Sequence, residues 1–279
     1  MENRRLKIAF VWPWERASEI KDFWRDGLRA AIEEIAKKHD VHWFLGKTVP
    51  NPRESWDAIL FWDDSYSLFF RNINNYPGAK RGIFLTTDPH NLYNLSRLDA
   101  VFCESDPIVR AAKQIGSIKA IKAFGTDDDF YKPDETVSKD IKYFYPATFS
   151  PWKRQGEIAG FGSDLICIGT LQPDGDEEYK ACVRRGVKIE LGYWPAEKIR
   201  DYYQRTSHIV IPAVHGSERT VLEAMANNIV PTVYPYNERA HSYIEEYTNS
   251  DFKTPREFIL ENYSYKKYAQ TILEAIQND

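Results

Sequence analysis

The strongest constraint on the fold is an alternation that runs through most of the chain. Short β-rich runs are separated by stretches in which apolar residues recur at helical spacing, the pattern of βαβ units and therefore of parallel sheets. "LKIAFVW" (6–12) reads as a strand and "IKDFWRDGLRAAIEEIAKKHD" (20–40) as a helix, with Phe23, Leu28, Ala31, Ile32 and Ile35 on one face. Further strands are predicted at 41–45, 58–62, 81–86, 100–104 and 118–124, with helices over 65–75 and 106–115.

At "FGTDDDFYKPDETVSKD" (124–140) the apolar pattern gives way to a polar stretch with Gly125 and Pro133, the composition of a domain junction. The alternation then restarts. Strands are expected at 142–146, 164–168, 187–192, 208–212 and 230–233, with helices near 152–160, 175–185, 196–205 and 217–227. The tail reads as two helices broken near Ser264. The fold class is thus α/β, with two Rossmann-like parallel-sheet domains at 1–133 and 134–260 and a C-terminal helix in 261–279 that can pack back on the first domain. Such domains bind ligands at the carboxyl ends of their strands, in a central cleft.

Composition narrows the function classes. A length of 279 residues, 43% hydrophobic, supplies two modest cores. The net charge of -4 provides no global basic field for nucleic acid. Cys103, Cys167 and Cys182 are far apart and lack CxxC spacing, so neither a disulfide framework nor a zinc site is indicated, and a reducing cytoplasm is the expected location. The short apolar run of "MENRRLKIAFVWPW" is followed by Glu15 and Arg16 and reads as a strand rather than a signal peptide. No run approaches the roughly 20 apolar residues of a membrane span.

The stretch with most chemistry is "VHGSERTVLEAMANN" (214–228). Ser217 suits an N-cap, its hydroxyl accepting a first-turn N–H. The helix end would favour an anion in front of Gly216, where the backbone can be approached closely. In "YPATFSPWKRQ" (145–155), Lys153 and Arg154 are expected just inside the next helix, where they could neutralise a diphosphate. An ordinary capped helix and a solvated basic pair would account for each stretch taken alone.

Taken together, 187–235 resembles the nucleotide-sugar-binding domain of group 1 glycosyltransferases, a mostly retaining class with the GT-B fold. The parts in order are Gly192, "PAEKIRDYY", "HIVIP", the loop 213–219, "EAMA" at 223–226 and Pro231. "FGTDDDFYKP" is similar to the family's inter-domain motif, with Gly125, Asp127 and Pro133 in place and Tyr131 where Phe is usual, and 98–116 resembles the strand and helix before it.

The resemblance implies a hexosyl- or pentosyltransferase that moves a sugar from a nucleoside diphosphate sugar to an acceptor hydroxyl, with retention, with no metal and no cofactor beyond the nucleotide-sugar co-substrate. It places Glu223 on the ribose, where a carboxylate accepts both hydroxyls. His215 stands where the family has its first acid, so either His215 bonds a sugar hydroxyl or Glu218 takes over that contact. Gly216, Ser217, Glu218, Arg219 and Thr220 would face sugar and diphosphate. Lys153 matches the second cation of the family's diphosphate pair, but the first is Thr148, a charge that Arg154 or Arg219 could supply.

For the first domain, His90 is a candidate to bond the donor sugar, and Asp88 or Asp63, with Asp64 beside it, to take the acceptor proton; turn chemistry is the competing reading. "WPWERAS" (12–18) stands in place of the family's glycine-rich loop, with Trp12, Trp14 and Arg16 suited either to stacking on a sugar or base or to buried packing. The acceptor stays open among glycan, small molecule, protein and modified nucleic acid. "KRG" (80–82) and 139–154 would supply the basic, aromatic surface that a DNA-base acceptor needs. A nucleotide-sugar-binding module without catalysis is the remaining alternative.

Overall fold

The computed structural model describes residues 4–12, 25–46, 48–62, 71–86, 95–117 and 119–277. They sort into two compact units. Unit 1 takes the described residues of 4–12, 27–124 and 265–277, and unit 2 takes 25–26 and 125–264.

Unit 1 is built on a six-stranded sheet in the order β2-β1-β3-β4-β5-β6, every neighbouring pair parallel. The strands are β1 (Lys7–Trp12), β2 (Asp40–Leu45), β3 (Ala58–Trp62), β4 (Lys80–Leu85), β5 (Ala100–Cys103) and β6 (Ala120–Lys122). Helix α1 (Gly27–Ala36) joins β1 to β2, and α2 (Asp106–Gln114) joins β5 to β6. β1 and β3 are apolar almost throughout because both faces of a central parallel strand are covered. Edge strand β2 is only partly buried. Trp12 is a core residue, its ring 4.6 Å from that of Trp62 and 5.9 Å from that of Trp43, which decides its case for packing.

Unit 2 carries a five-stranded parallel sheet in the order β11-β10-β7-β8-β9. Its elements are β7 (Ile141–Pro146), α3 (Gln155–Ile158), β8 (Leu165–Gly169), α4 (Asp176–Arg184), β9 (Lys188–Leu191), α5 (Ala196–Arg205), β10 (Thr206–Ile211), α6 (Glu218–Ala226), β11 (Thr232–Val233), α7 (Glu238–Thr248) and α8 (Pro255–Asn262). Helix α9 (Tyr265–Gln277) returns to unit 1, where it packs on α1. The break at Ser264 falls between α8 and α9.

Some expected elements change. The helix predicted over 152–160 is a single turn, α3, because 151–153 form a turn and Arg154 is left-handed at φ 50°; a 3-10 turn (Ala159–Asp164), kinked at Gly162 at φ +57°, follows it. The strand expected at 118–124 shortens to β6. Helix α7 was not foreseen; Asn237 starts it by accepting the Ala240 N–H at 3.1 Å. Part of each helix expected at 20–40 and 65–75 lies outside the described residues. Among the described residues, no helix is long and apolar enough to cross a membrane.

Candidate functional site

All contacts below lie within unit 2, at the carboxyl ends of its strands. After β10 the chain makes two consecutive left-handed residues, Gly216 and Ser217, each at φ +72°. Glycine suits this turn at 216, and a Cβ there would press on the tip of Lys153, 3.0 Å from its Nζ. Ser217 pays for its geometry as a non-glycine residue, a strain of about 1–2 kcal/mol that persists only where surroundings impose it.

Those surroundings correct the capping expectation. The Ser217 hydroxyl makes no bond to α6. It accepts instead from Lys153 Nζ at 2.9 Å and lies 3.5 Å from the Tyr145 hydroxyl. The first-turn N–H groups of α6 therefore receive nothing from the cap side chain, and a cation and a hydroxyl stand before them. This arrangement suits an anion. The carbonyl of Gly216 is held by Asn237 Nδ2 at 2.9 Å, so one buried amide fixes this loop and starts α7.

Lys153 and Arg154 are not inside a helix. They occupy the turn before α3, with the Lys153 N–H on the Ser150 carbonyl at 2.9 Å and Arg154 left-handed at φ 50°. The two side chains part company: Arg154 pairs with Glu157 at 2.8 Å and lies over the Tyr236 ring. Glu218 is 2% exposed and ion-paired with Arg239. His215 is exposed, its ring nearly parallel to that of Trp152 at 6.2 Å. Partial burial, then Lys153 and Arg239, lower its pKa and favour the neutral imidazole.

Beside this loop lies a cavity of about 230 Å³. Its walls come from Pro146–Thr148, Ile168–Thr170 and Gly192–Trp194 after β7, β8 and β9, closed by Arg25, Tyr131, Arg219, Thr220 and Glu223. The strand ends converge tightly: a Cβ on Gly169 would meet the Ala147 carbonyl oxygen at 2.2 Å. Thr148 is neutral in its surroundings as well as in itself, its hydroxyl bonded to the Thr170 carbonyl at 2.8 Å and 2.7 Å from the Thr170 hydroxyl.

Glu223 projects from the second turn of α6 and is 6% exposed. Its Oε2 accepts from the Tyr203 hydroxyl at 2.9 Å, and Arg219 Nε stands 3.8 Å from Oε1. Burial pushes its pKa up to about 7, against the pull of Arg219 and Tyr203 and with help from the negative charge of Asp26. Arg25 reaches the cavity from far away in sequence, with Nε 3.1 Å from Asp127 Oδ2 and its guanidinium over Phe130.

Of the residues singled out from sequence, Lys153, Gly216 and Ser217 are brought together at the helix end, and Thr148, Arg219, Thr220 and Glu223 at the cavity. Arg154, His215 and Glu218 do not line the cavity. Asp63, Asp64, Asp88, His90, Trp14 and Arg16 lie outside the described residues. Among the described residues, no three His, Cys, Asp or Glu side chains are grouped to hold a metal ion.

No protein-family model and no curated protein matches the sequence. Solved structures do match. Sucrose-phosphate synthase from Thermosynechococcus elongatus superposes with a TM-score of 0.68 at 12% identity, covering 98% of both chains. The fold is GT-B. AviGT4, a glycosyltransferase involved in avilamycin A biosynthesis, shares this GT-B fold with a TM-score of 0.67 at 15% identity over 98% of this chain and 97% of its own. HepE from Anabaena, crystallised with UDP-glucose, gives 0.67 at 13% identity over 99% and 100%.

Sequence reading missed Arg25, Tyr203, Asn237 and Trp194 as parts of the site. Only Asn237 had a local signal, an Asn directly before the acidic start of a helix.

Proposed function

We propose that unit 2 binds a nucleoside diphosphate sugar and that the chain is a glycosyltransferase, moving a hexose or pentose to an acceptor hydroxyl with retention. One observation carries the reading: a single helix holds a buried carboxylate, Glu223, and starts where Lys153 meets the Ser217 hydroxyl. From Ser217 to Glu223 the helix advances about 9 Å. A nucleotide with its ribose on Glu223 would place its diphosphate toward Lys153, Gly216 and the first-turn N–H groups of α6.

There the chemistry follows from charge. Breaking the bond between sugar and diphosphate builds negative charge on the leaving oxygen. Lys153 and the α6 end meet that charge with donors already oriented, so stabilisation grows toward the transition state. Thr148 adds no charge; Lys153 faces the helix end, Arg239 is paired with Glu218 beside it, and Arg219 stands on the cavity side. His215, kept neutral, can both donate to and accept from a sugar hydroxyl. His90 remains the candidate on the donor sugar, and Asp63 or Asp88 the candidate to take the acceptor proton. The fold shared with HepE, crystallised with UDP-glucose, supports the donor assignment. Two of the cations named for a DNA-base acceptor are already paired, Arg81 with Asp99 and Lys142 with Asp164, and lend that reading no support.

The test is a thermal-shift screen of nucleoside diphosphates and nucleotide sugars on the wild type and Glu223→Ala, followed by measurement of diphosphate release. Stabilisation of the wild type that the variant loses is expected, with slow turnover. If no nucleoside diphosphate stabilises the wild type, the reading fails. Tight binding without release or transfer would instead indicate a binding module.

A further inference from the structure

The loop after β9 holds a device that the helix-end and ribose contacts leave unused. Gly192, at φ +133°, turns the chain sharply after β9, and the Tyr193–Trp194 pair follows it onto the cavity wall. The two rings differ in kind. Tyr193 is 79% exposed, whereas Trp194 is half-buried and pinned from several sides.

Lys198 sets its Nζ 3.5 Å from the centroid of the Trp194 ring and 2.5 Å from Glu190 Oε2. The indole N–H of Trp194 donates to the Glu190 carbonyl at 3.4 Å. Tyr202 donates its hydroxyl to Glu190 Oε1 and stacks its own ring on Phe144 at 5.1 Å. Burial alone would raise the Glu190 pKa, but the bonds from Lys198 and Tyr202 outweigh it and keep the carboxylate charged. A lysine over one face of an indole, anchored by a charged carboxylate, fixes the plane of the ring.

Placement along the sheet says what the ring is for. The order β10-β7-β8-β9 puts the β9 loop three strand spacings from the β10 loop, roughly 14 Å at the usual separation of neighbouring strands. A nucleoside diphosphate separates its base from its terminal phosphate on the same scale. Among the described residues the cavity's charged side chains are Arg25, Arg219 and Glu223, whereas the ends of β7, β8 and β9 present the Thr148–Thr170 hydroxyl pair, glycine backbone and Trp194. That end suits a flat, uncharged heteroaromatic ring.

We propose that Trp194 is the platform on which the nucleobase of the donor stacks, and that Lys198 and Glu190 are positioning residues that hold its ring in place. The proposal rests on the nucleotide reading above. Calorimetry with UDP, ADP, GDP and inorganic pyrophosphate tests it on the wild type, Trp194→Ala, Trp194→Phe and Lys198→Met. Trp194→Ala weakens the best nucleoside diphosphate about tenfold and leaves pyrophosphate unchanged. Trp194→Phe restores most of the loss. Lys198→Met costs about threefold, and that cost disappears in the Trp194→Ala background. Unchanged nucleotide affinity in Trp194→Ala overturns the proposal, as does an equal loss for pyrophosphate, which would make the residue merely structural. A wild type that binds none of the three nucleotides removes the nucleotide reading itself, a distinct outcome.

Discussion

Nucleotide affinity should depend on pH through Glu223. A carboxyl group offers both oxygens to the two ribose hydroxyls only when it is ionised, and burial has moved this one from 4.5 to about 7. At pH 5 about one molecule in a hundred carries the charge, and at pH 8 about nine in ten; affinity scales with that competent fraction. Binding therefore tightens up to about 90-fold between pH 5 and pH 8, most steeply below 7. The ligand's phosphates titrate in the same range, so the assay is calorimetry at four pH values on wild type and Glu223→Gln. The ratio of the two dissociation constants removes the ligand's contribution. A ratio that varies by less than about threefold across the series refutes the ribose role of Glu223. The same shift has a stability sign. The folded pKa lies above the unfolded value, so the unfolded chain releases this proton first. Stability falls as pH rises from 4.5 to about 7, by about 3 kcal/mol. Above that window the loss is complete, and Glu223→Gln should show none of it in urea unfolding.

Three further outcomes are expected. Gly169→Ala forces a methyl onto the Ala147 carbonyl oxygen, 2.2 Å away, and should destabilise unit 2 by more than about 2 kcal/mol; an unchanged urea midpoint would contradict the close approach. Arg256→Met removes bonds to the carbonyls of Ala226 at 2.7 Å, Asp128 at 3.1 Å and Tyr131 at 3.2 Å, at a cost of about 3 kcal/mol, which differential scanning calorimetry would read. Lys153→Ala should weaken a nucleoside diphosphate about tenfold and leave the parent nucleoside unaffected; equal losses for both would place Lys153 away from the phosphates.

Most strands and helices of unit 2 were legible because each is a local pattern, α7 being the exception. "HIVIP" and "VLEAMA" are apolar in the period of the element they form, and Glu223 stands out as the acid inside an otherwise apolar helix. The errors arose where a distant partner overrode a local preference. Ser217 has the right chemistry for a cap, but Lys153, from a loop 64 positions earlier, takes its hydroxyl. Arg25 meets Asp127 across 102 positions, a contact that no window of sequence contains. Trp194 looked like one aromatic residue among many until Lys198 and Glu190 were seen around it. Nothing in the residue type of Arg154 announced the left-handed backbone that delays the start of α3.

The return of α9 to unit 1 also sets an order of assembly. During synthesis the six strands of unit 1 leave the ribosome first, yet the helix that packs on α1 spans residues 265–277 and emerges after the whole of 125–264. Unit 2, apart from Arg25 and Asp26, is one continuous stretch and can close while unit 1 still waits for its last helix. Until then Ile272 and Ile276, buried in the finished protein, have not reached the core they complete. The second-made unit can thus close before the first-made one is complete, and the nascent protein carries an uncovered apolar face through about 150 residues of elongation, roughly 8–30 s at ordinary rates.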